Sequence, residues 1–490
     1  MSAYSIVPIE RRRALTGSVL NVMLAVLASL AVLAIAAYFY FDRAPLVSVP
    51  PVTEKNLAIE DIRVIDVVSG DAREHVDVLI ENGRIASITP HNKAIPNGAT
   101  LVDGRGLSLI PGLIDAHCHI ETASTPAWTL RLPPVDENLE RLLYSGVTRF
   151  FDPGSRVPAI FKLRDALRQG DRLGPRLYAA GALFTAPGGH PEPMLRQLVP
   201  AFLANRLLKA STRQIATDAE AADAIEALSS YAPDFIKIVI DSLPPSAPQL
   251  ETQVAKAIVR EAENKNLRVV AHIGTTADAL RAAQVGVKAW LHGVYKERIP
   301  DESIAELAAF GIPMMPTMTV FRNYADVSER AFEPTALERE VVSADVLKSY
   351  NSPPDDFVVD PEMEELLKLF VAQKSIAIEN VRRLHQAGVE ILAGSDSQNN
   401  VIHGPALHRE LALLSRAGLS PLEVLRAATL NNARFLSGIK NPSFGIVEEG
   451  KVADLVLIRG NPLEDVAAIS RIEKVILGGV MIIRHPLPGI

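Results

Sequence analysis

From Leu57 onward the chain sets short apolar, often β-branched runs between turn residues. The runs Ile59–Val68, Val76–Ile80, Ile85–Ile88 and Thr100–Val102 are separated by Glu81-Asn82-Gly83 and Asp103-Gly104. Runs of this length bounded by Asn, Asp and Gly predict β-strands. The same texture returns in Gly450–Ile458 and Ile472–Ile483, which predicts one small β-sandwich domain assembled from both chain ends, residues 57–109 and 440–490.

Residues 110–439 have a different rhythm. Short apolar strands are expected at Leu113–His117, Val147–Asp152, Arg176–Ala180, Phe235–Ile240, Arg268–His272, Ala289–His292, Ile312–Pro316 and Glu390–Ala393. Amphipathic helical stretches such as Ala219–Leu228, Glu251–Lys265 and Pro421–Ala428 fill the intervals. This alternation predicts an α/β fold, a (β/α)8 TIM barrel. A doubly wound open sheet is the alternative, but no Gly-rich dinucleotide motif follows the first strand. Two intervals, from Leu183 to about Tyr231 and from Thr317 to about Lys374, are long enough to act as lids or specificity elements.

Before this body, Val19–Phe41 is almost wholly apolar and ends in Tyr38-Phe39-Tyr40-Phe41. It is long enough for a bilayer, which needs about 20 residues. Arg11, Arg12 and Arg13 precede it, so the positive-inside rule places residues 1–18 in the cytoplasm and the catalytic body across the membrane, in the periplasm or another extracytoplasmic space. A cleaved signal peptide ending near Ala34-Ile35-Ala36, with secretion, is the competing reading. Residues 42–56 contain Pro45, Pro50 and Pro51 and read as an extended tether.

Composition narrows the chemistry. A net charge of -7 with no basic block argues against a nucleic-acid partner. The single cysteine, Cys118, excludes an intrachain disulfide. A homo-oligomer stays open.

Candidate chemistry sits at the strand ends, where a barrel collects its catalytic residues. The first strand ends in His117-Cys118-His119, and side chains two apart on a strand share a face, so both histidines address one point. Lys237 lies in the fourth strand, His272 ends the fifth, His292 the sixth, and Asp396 follows the eighth in Gly394-Ser395-Asp396. A lone strand-end histidine is usually packing, and a lone Asp after Gly-Ser is often a helix cap. Three separate strand ends bearing histidine, with a carboxylate at the last, make a metal site the better reading. His75, His91, His385 and His485 lie in segments with no such placement.

With these residues in view, the chain resembles the amidohydrolase superfamily, and within it the prolidase-like and imidazolonepropionase-related metal-dependent hydrolases. The resemblance runs from about Leu57 to Ile483 and is carried by Pro111–His119, Lys237, His272, His292 and Gly394–Asp396. Pro421–Thr429 and Gly450–Val456 add to it.

The resemblance implies two divalent metal ions, zinc the expected pair. His117, His119 and Asp396 would hold the more buried ion and His272 and His292 the second, with Lys237 between them carrying CO2 as a carbamate. Asp396 would serve as general base and then acid, and the substrate would be a small amide, a dipeptide, N-acyl amino acid or lactam. The loop Ala186–Pro191 resembles a glycine-histidine loop of prolidase-like relatives, so His190 is a candidate substrate contact, as are Tyr295 and His403. A mononuclear deaminase of the same superfamily is the alternative. It would need no bridging lysine and would place a Glu near the fifth-strand histidine, where this chain has Ile273-Gly274-Thr275. A membrane-tethered scaffold without turnover is the remaining alternative, and the complete ligand set speaks against it.

Overall fold

The computed structural model describes residues 45–50, 56–92, 98–129, 131 and 135–487. The expected anchor, Val19–Phe41, lies outside the described residues. Among the described residues no helix is long and apolar enough to cross a membrane.

Strands from both ends of the chain share one nine-stranded sheet. Its seam is the antiparallel pairing of Leu455–Arg459 with Leu107–Pro111, in register Val456 to Ile110 and Leu457 to Leu109. Successive residues of a strand face opposite ways, and here both faces are buried. Leu109, Leu455 and Leu457 join Ile59 and Val78 in a core of the sheet's own. Ile110, Val456 and Ile458 turn to the main core of the molecule. Double burial explains why these strands read as near-continuous apolar runs. Within the expected tether, Val47–Ser48 form a further strand on Val480–Arg484, and Leu46 and Val47 are buried.

Gly112 leads from this sheet directly into the first of a succession of parallel strands, which makes the body an α/β fold. Leu113–Asp115 pairs with Val147–Asp152, and that strand with Arg176–Ala179. Ile236–Val239, Val269–His272, Trp290–Leu291 and Met314–Met315 then pair in chain order, all parallel. Backbone bonds continue the series at its gaps. Asp234 N–H donates to the Ala179 carbonyl, Leu392 N–H to Met314, and Ala116 N–H to Ala393. The last of these returns the bonding to the first strand.

One detail differs from the sequence reading, and two intervals whose structure it left open take definite form. Glu390–Ala393 holds a single bridge, Ile391 to Met314, instead of a regular strand, because the Ala393 N–H donates to Ala427 in a π-helical turn. The interval after Leu183 is ordered. Leu183–Thr185 and Thr212–Gln214 are parallel strands, with helices at 192–198, 201–211 and 218–229. The interval after Thr317 is helical, at 318–328, 336–341, 344–349 and 361–386.

Candidate metal centre

The strand succession delivers the predicted polar residues to one place. Asp396 is their collecting point. Its Oδ1 lies 3.4 Å from His117 Nε2 and 3.3 Å from His119 Nε2, and its Oδ2 lies 3.9 Å from His292 Nδ1. His117, His292 and Asp396 offer ligand atoms within 4.8 Å of one another, and all three are buried. The His292 ring lies 4.0 Å from that of His272 and 4.8 Å from that of His117, between centroids. The Lys237 side chain is buried and, among the described residues, has neither hydrogen bond nor ion pair.

The hydrogen bonds around these rings fix which nitrogen faces the centre. A carbonyl only accepts, so the 3.0 Å contact from His119 Nδ1 to the Gly154 carbonyl puts the proton on Nδ1 and leaves the Nε2 lone pair toward Asp396. For His272 the relation is reversed. Its Nε2 donates to the Asp241 carboxylate at 3.2 Å, which leaves Nδ1 as the free ligand atom. His292 Nδ1 is engaged by the Thr317 hydroxyl at 2.6 Å. Outer partners of this kind orient metal-binding imidazoles.

The site also concentrates two kinds of local cost. Both ring nitrogens of His117 and Asp396 Oδ1 are buried without a hydrogen-bond partner. Each such atom costs about 1–3 kcal/mol. His292, Thr317 and Asp396 have φ of 72°, 48° and 51°, a region that non-glycine residues enter at a cost of about 1–3 kcal/mol. Imidazole nitrogens and a carboxylate oxygen converging in this way are a donor set for a divalent cation. The orphaned atoms fit that role.

Electrostatics agree. Burial, with Lys237, His119 and His272 nearby, holds the His117 imidazole far below its ordinary range, and burial beside His272 and His117 does the same to His292. Both rings are therefore neutral, the form that binds metal. Burial would raise the Asp396 carboxyl, but the imidazoles of His119 and His292 and the Lys237 ammonium around it outweigh burial and hold it below the ordinary carboxylate range. Burial lowers the Lys237 ammonium to about 8, against the pull of Asp396 and Asp152.

The three candidate contact residues have distinct surroundings. His190 packs 5.1 Å from the His272 ring, and burial, with His272 and Lys237, lowers it to about 3. Its Nδ1 donates to the Leu243 carbonyl at 3.2 Å, so the neutral ring keeps Nε2 as an acceptor. Tyr295 gives its hydroxyl to Asp241 at 2.5 Å and stacks on Phe321. His403 has both nitrogens engaged, Nδ1 with the Ser124 hydroxyl and Nε2 with the His119 carbonyl, and so braces the first strand's end.

Asp241 is a residue that the sequence reading passed over. Besides His272 and Tyr295 it accepts from Lys296 at 2.5 Å. Burial would raise it, but His272 and Lys296 hold it well below the carboxylate range. A Cβ at Gly274 would fall 2.6 Å from its oxygens, so glycine after His272 is what lets the carboxylate reach that ring. The available signal was its place, one residue beyond the apolar run that contains Lys237. Asp115 was likewise unflagged. It ties the first strand to the last by accepting from Ser395 N at 2.9 Å and Ser395 Oγ at 2.6 Å.

Residues 108–482 match the model of the amidohydrolase family. Over 234 residues the chain is 28% identical to ochratoxinase of Aspergillus niger, a stretch covering 47% of this chain and 40% of that enzyme. The match therefore spans under half the length of that curated relative. Among solved structures the chain is similar to a prolidase complexed with N-methylphosphonate-L-proline, with a TM-score of 0.70 at 24% identity, covering 88% of this chain and 100% of the other. It is also similar to the crystal structure of A. niger ochratoxinase, with a TM-score of 0.66 at 21% identity, covering 88% and 96%. At these identities the solved structures establish the fold.

Proposed function

The chain belongs to the amidohydrolase family, and on that premise we propose that it hydrolyses amide-type carbon–nitrogen bonds with two divalent metal ions at the mouth of a (β/α)8 barrel. The observation that carries this is the convergence of His117, His119 and His292 on Asp396, with both His117 ring nitrogens buried and satisfied by no protein group.

In this reading His117, His119 and Asp396 would hold the inner ion and His272 and His292 the outer. Zinc suits the imidazole and carboxylate donors. Such ions supply Lewis-acid polarisation of the scissile carbonyl and lower the pKa of water toward about 7. Lys237 is the candidate bridge. Its lowered pKa makes the neutral amine accessible, and that amine can add CO2, forming an N–C bond and releasing a proton. The resulting carbamate would share one negative charge over two oxygens.

Proton transfer falls to Asp396, which accepts a proton from the attacking water and hands it to the leaving nitrogen. Without that proton an amide nitrogen is a poor leaving group. Gln398 Nε2 donates to Asp396 Oδ2 at 3.1 Å and steadies the carboxylate. His190, neutral with Nε2 as acceptor, is suited to a substrate N–H or O–H more than to an oxyanion. Asp241 and Thr317 position His272 and His292.

We propose dipeptides or N-acyl amino acids as the substrate class, and attachment to a membrane through Val19–Phe41 with the catalytic body extracytoplasmic. The second proposal is supported by the apolar run and the arginines before it. The test is a panel of dipeptides, N-acyl amino acids and lactams, assayed with Zn, Mn and Co after incubation with bicarbonate. Hydrolysis of at least one amide class is expected. Silence across the panel would overturn the proposed activity.

A further inference from the structure

Over the strand ends lies a cavity of about 1130 Å³, above the range of about 300–1,000 Å³ usual for small-molecule sites. Its walls come from the loops that follow the candidate ligands. Trp128 is in the loop after His119, Met194 and Leu198 follow His190, and Asn399 and Asn400 follow Asp396. Tyr324 stands on the helix that begins directly after Thr317, the partner of His292. The cavity thus adjoins the metal centre, with Tyr324 on its wall close enough to feel the Asp396 carboxylate, and none of the candidate ligands lines it.

Its surface is mainly apolar. Trp128 meets Phe357 edge to face at 5.2 Å and is fixed by Nε1 donating to the Ser349 carbonyl at 3.0 Å. Met363, Leu367 and Val371 present one side of the long 361–386 helix to the same space. Most of the charges on its wall are already engaged. Glu329 pairs with Lys374, Glu364 with Lys368, and Asp360 caps the 361–386 helix. At the rim the apolar surface runs on into solvent through Val358, 86% exposed, and Leu198, 47% exposed. A small polar dipeptide would leave most of this surface in contact with water.

Resting on the hydrolase reading above, we propose that this cavity seats a large apolar acyl group, so that the preferred substrate is a long-chain N-acyl amino acid. The amide is presented to the strand-end residues while the chain lies along Trp128, Phe357 and Leu367.

The test compares N-lauroyl-glycine with N-acetyl-glycine on the metal-loaded enzyme, by kcat/KM and by the fluorescence of Trp128. The chain has two tryptophans, and the other, Trp290, is fully buried and bonded to Ala279 away from the cavity. Trp128→Phe therefore serves as the signal control. The expected results are a more than tenfold higher kcat/KM for the lauroyl compound and a saturable Trp128 response to it alone. Leu367→Asp should weaken the lauroyl response at least tenfold, and Val358→Asp at the exposed rim should act in the same direction if the first variant folds poorly. Equal handling of the two compounds by a working enzyme would overturn the cavity proposal. Tight lauroyl binding with hydrolysis of neither compound would uphold the cavity and overturn the hydrolase reading beneath it.

Discussion

In the nine-stranded sheet, Leu109 and Leu457 sit opposite each other and turn their side chains into a core of Ile59 and Val78. A few residues along the same chain, His117 is just as fully buried, yet neither of its ring nitrogens has a hydrogen-bond partner. The first arrangement buries apolar surface and satisfies its backbone through the ladder. The second leaves polar atoms unsatisfied and holds His292, Thr317 and Asp396 at positive φ. Strained, unpaired groups persist only where the surrounding fold over-determines them. The sheet is part of what over-determines them here, because Leu107–Pro111 runs through Gly112 straight into the strand that ends at His117.

If that division of labour is right, the two regions fail differently. The largest effect is expected from Asp396→Asn, which keeps the shape but removes the proton carrier. Turnover should fall by about 10²–10⁴-fold while most bound metal remains, as read by kinetics beside metal analysis. Leu457→Ala should do the reverse. It removes a buried side chain from the sheet's core at a cost of about 2–5 kcal/mol, seen in denaturant unfolding, while the folded fraction keeps its metal content.

A third substitution probes a buried acid just outside the centre. Glu410 accepts from Met318 N, Thr319 N and the Thr319 hydroxyl, and burial pushes it up to about 7 in spite of these bonds. A folded-state pKa above the unfolded value means that its contribution is fully present at low pH and is lost as pH rises through about 7. From pH 5 to pH 8 the wild type should lose about 2–3 kcal/mol that Glu410→Gln retains. Denaturant midpoints at the two pH values measure this. Asp241→Asn should have the smallest effect, lowering metal affinity by about 10–100-fold through a misoriented His272. Metal-competition titration reads it, and a change confined to stability would show that Asp241 acts in packing alone.

What was legible in the sequence follows the same line. His117, His119, His272 and His292 stand out because an apolar strand that ends in histidine is a local pattern, and Asp396 because it follows the expected eighth strand. Asp241 and Thr317 are set by tertiary contacts, since a carboxylate or hydroxyl beyond a strand reads locally as loop. Leu183–Thr185 is too short to declare itself until Phe184 pairs with Ile238. Glu390–Ala393 reads as a strand and is instead diverted by the π-helical turn at Ala427, a partner distant in sequence.

The central claim is that the unsatisfied nitrogens and oxygen at the strand ends exist to hold a metal pair. It is tested most directly by metal content of the purified chain after loading with zinc in bicarbonate buffer, beside Lys237→Ala. The account predicts two ions per wild-type chain and one or fewer in the variant. One ion or none in the wild type would contradict it.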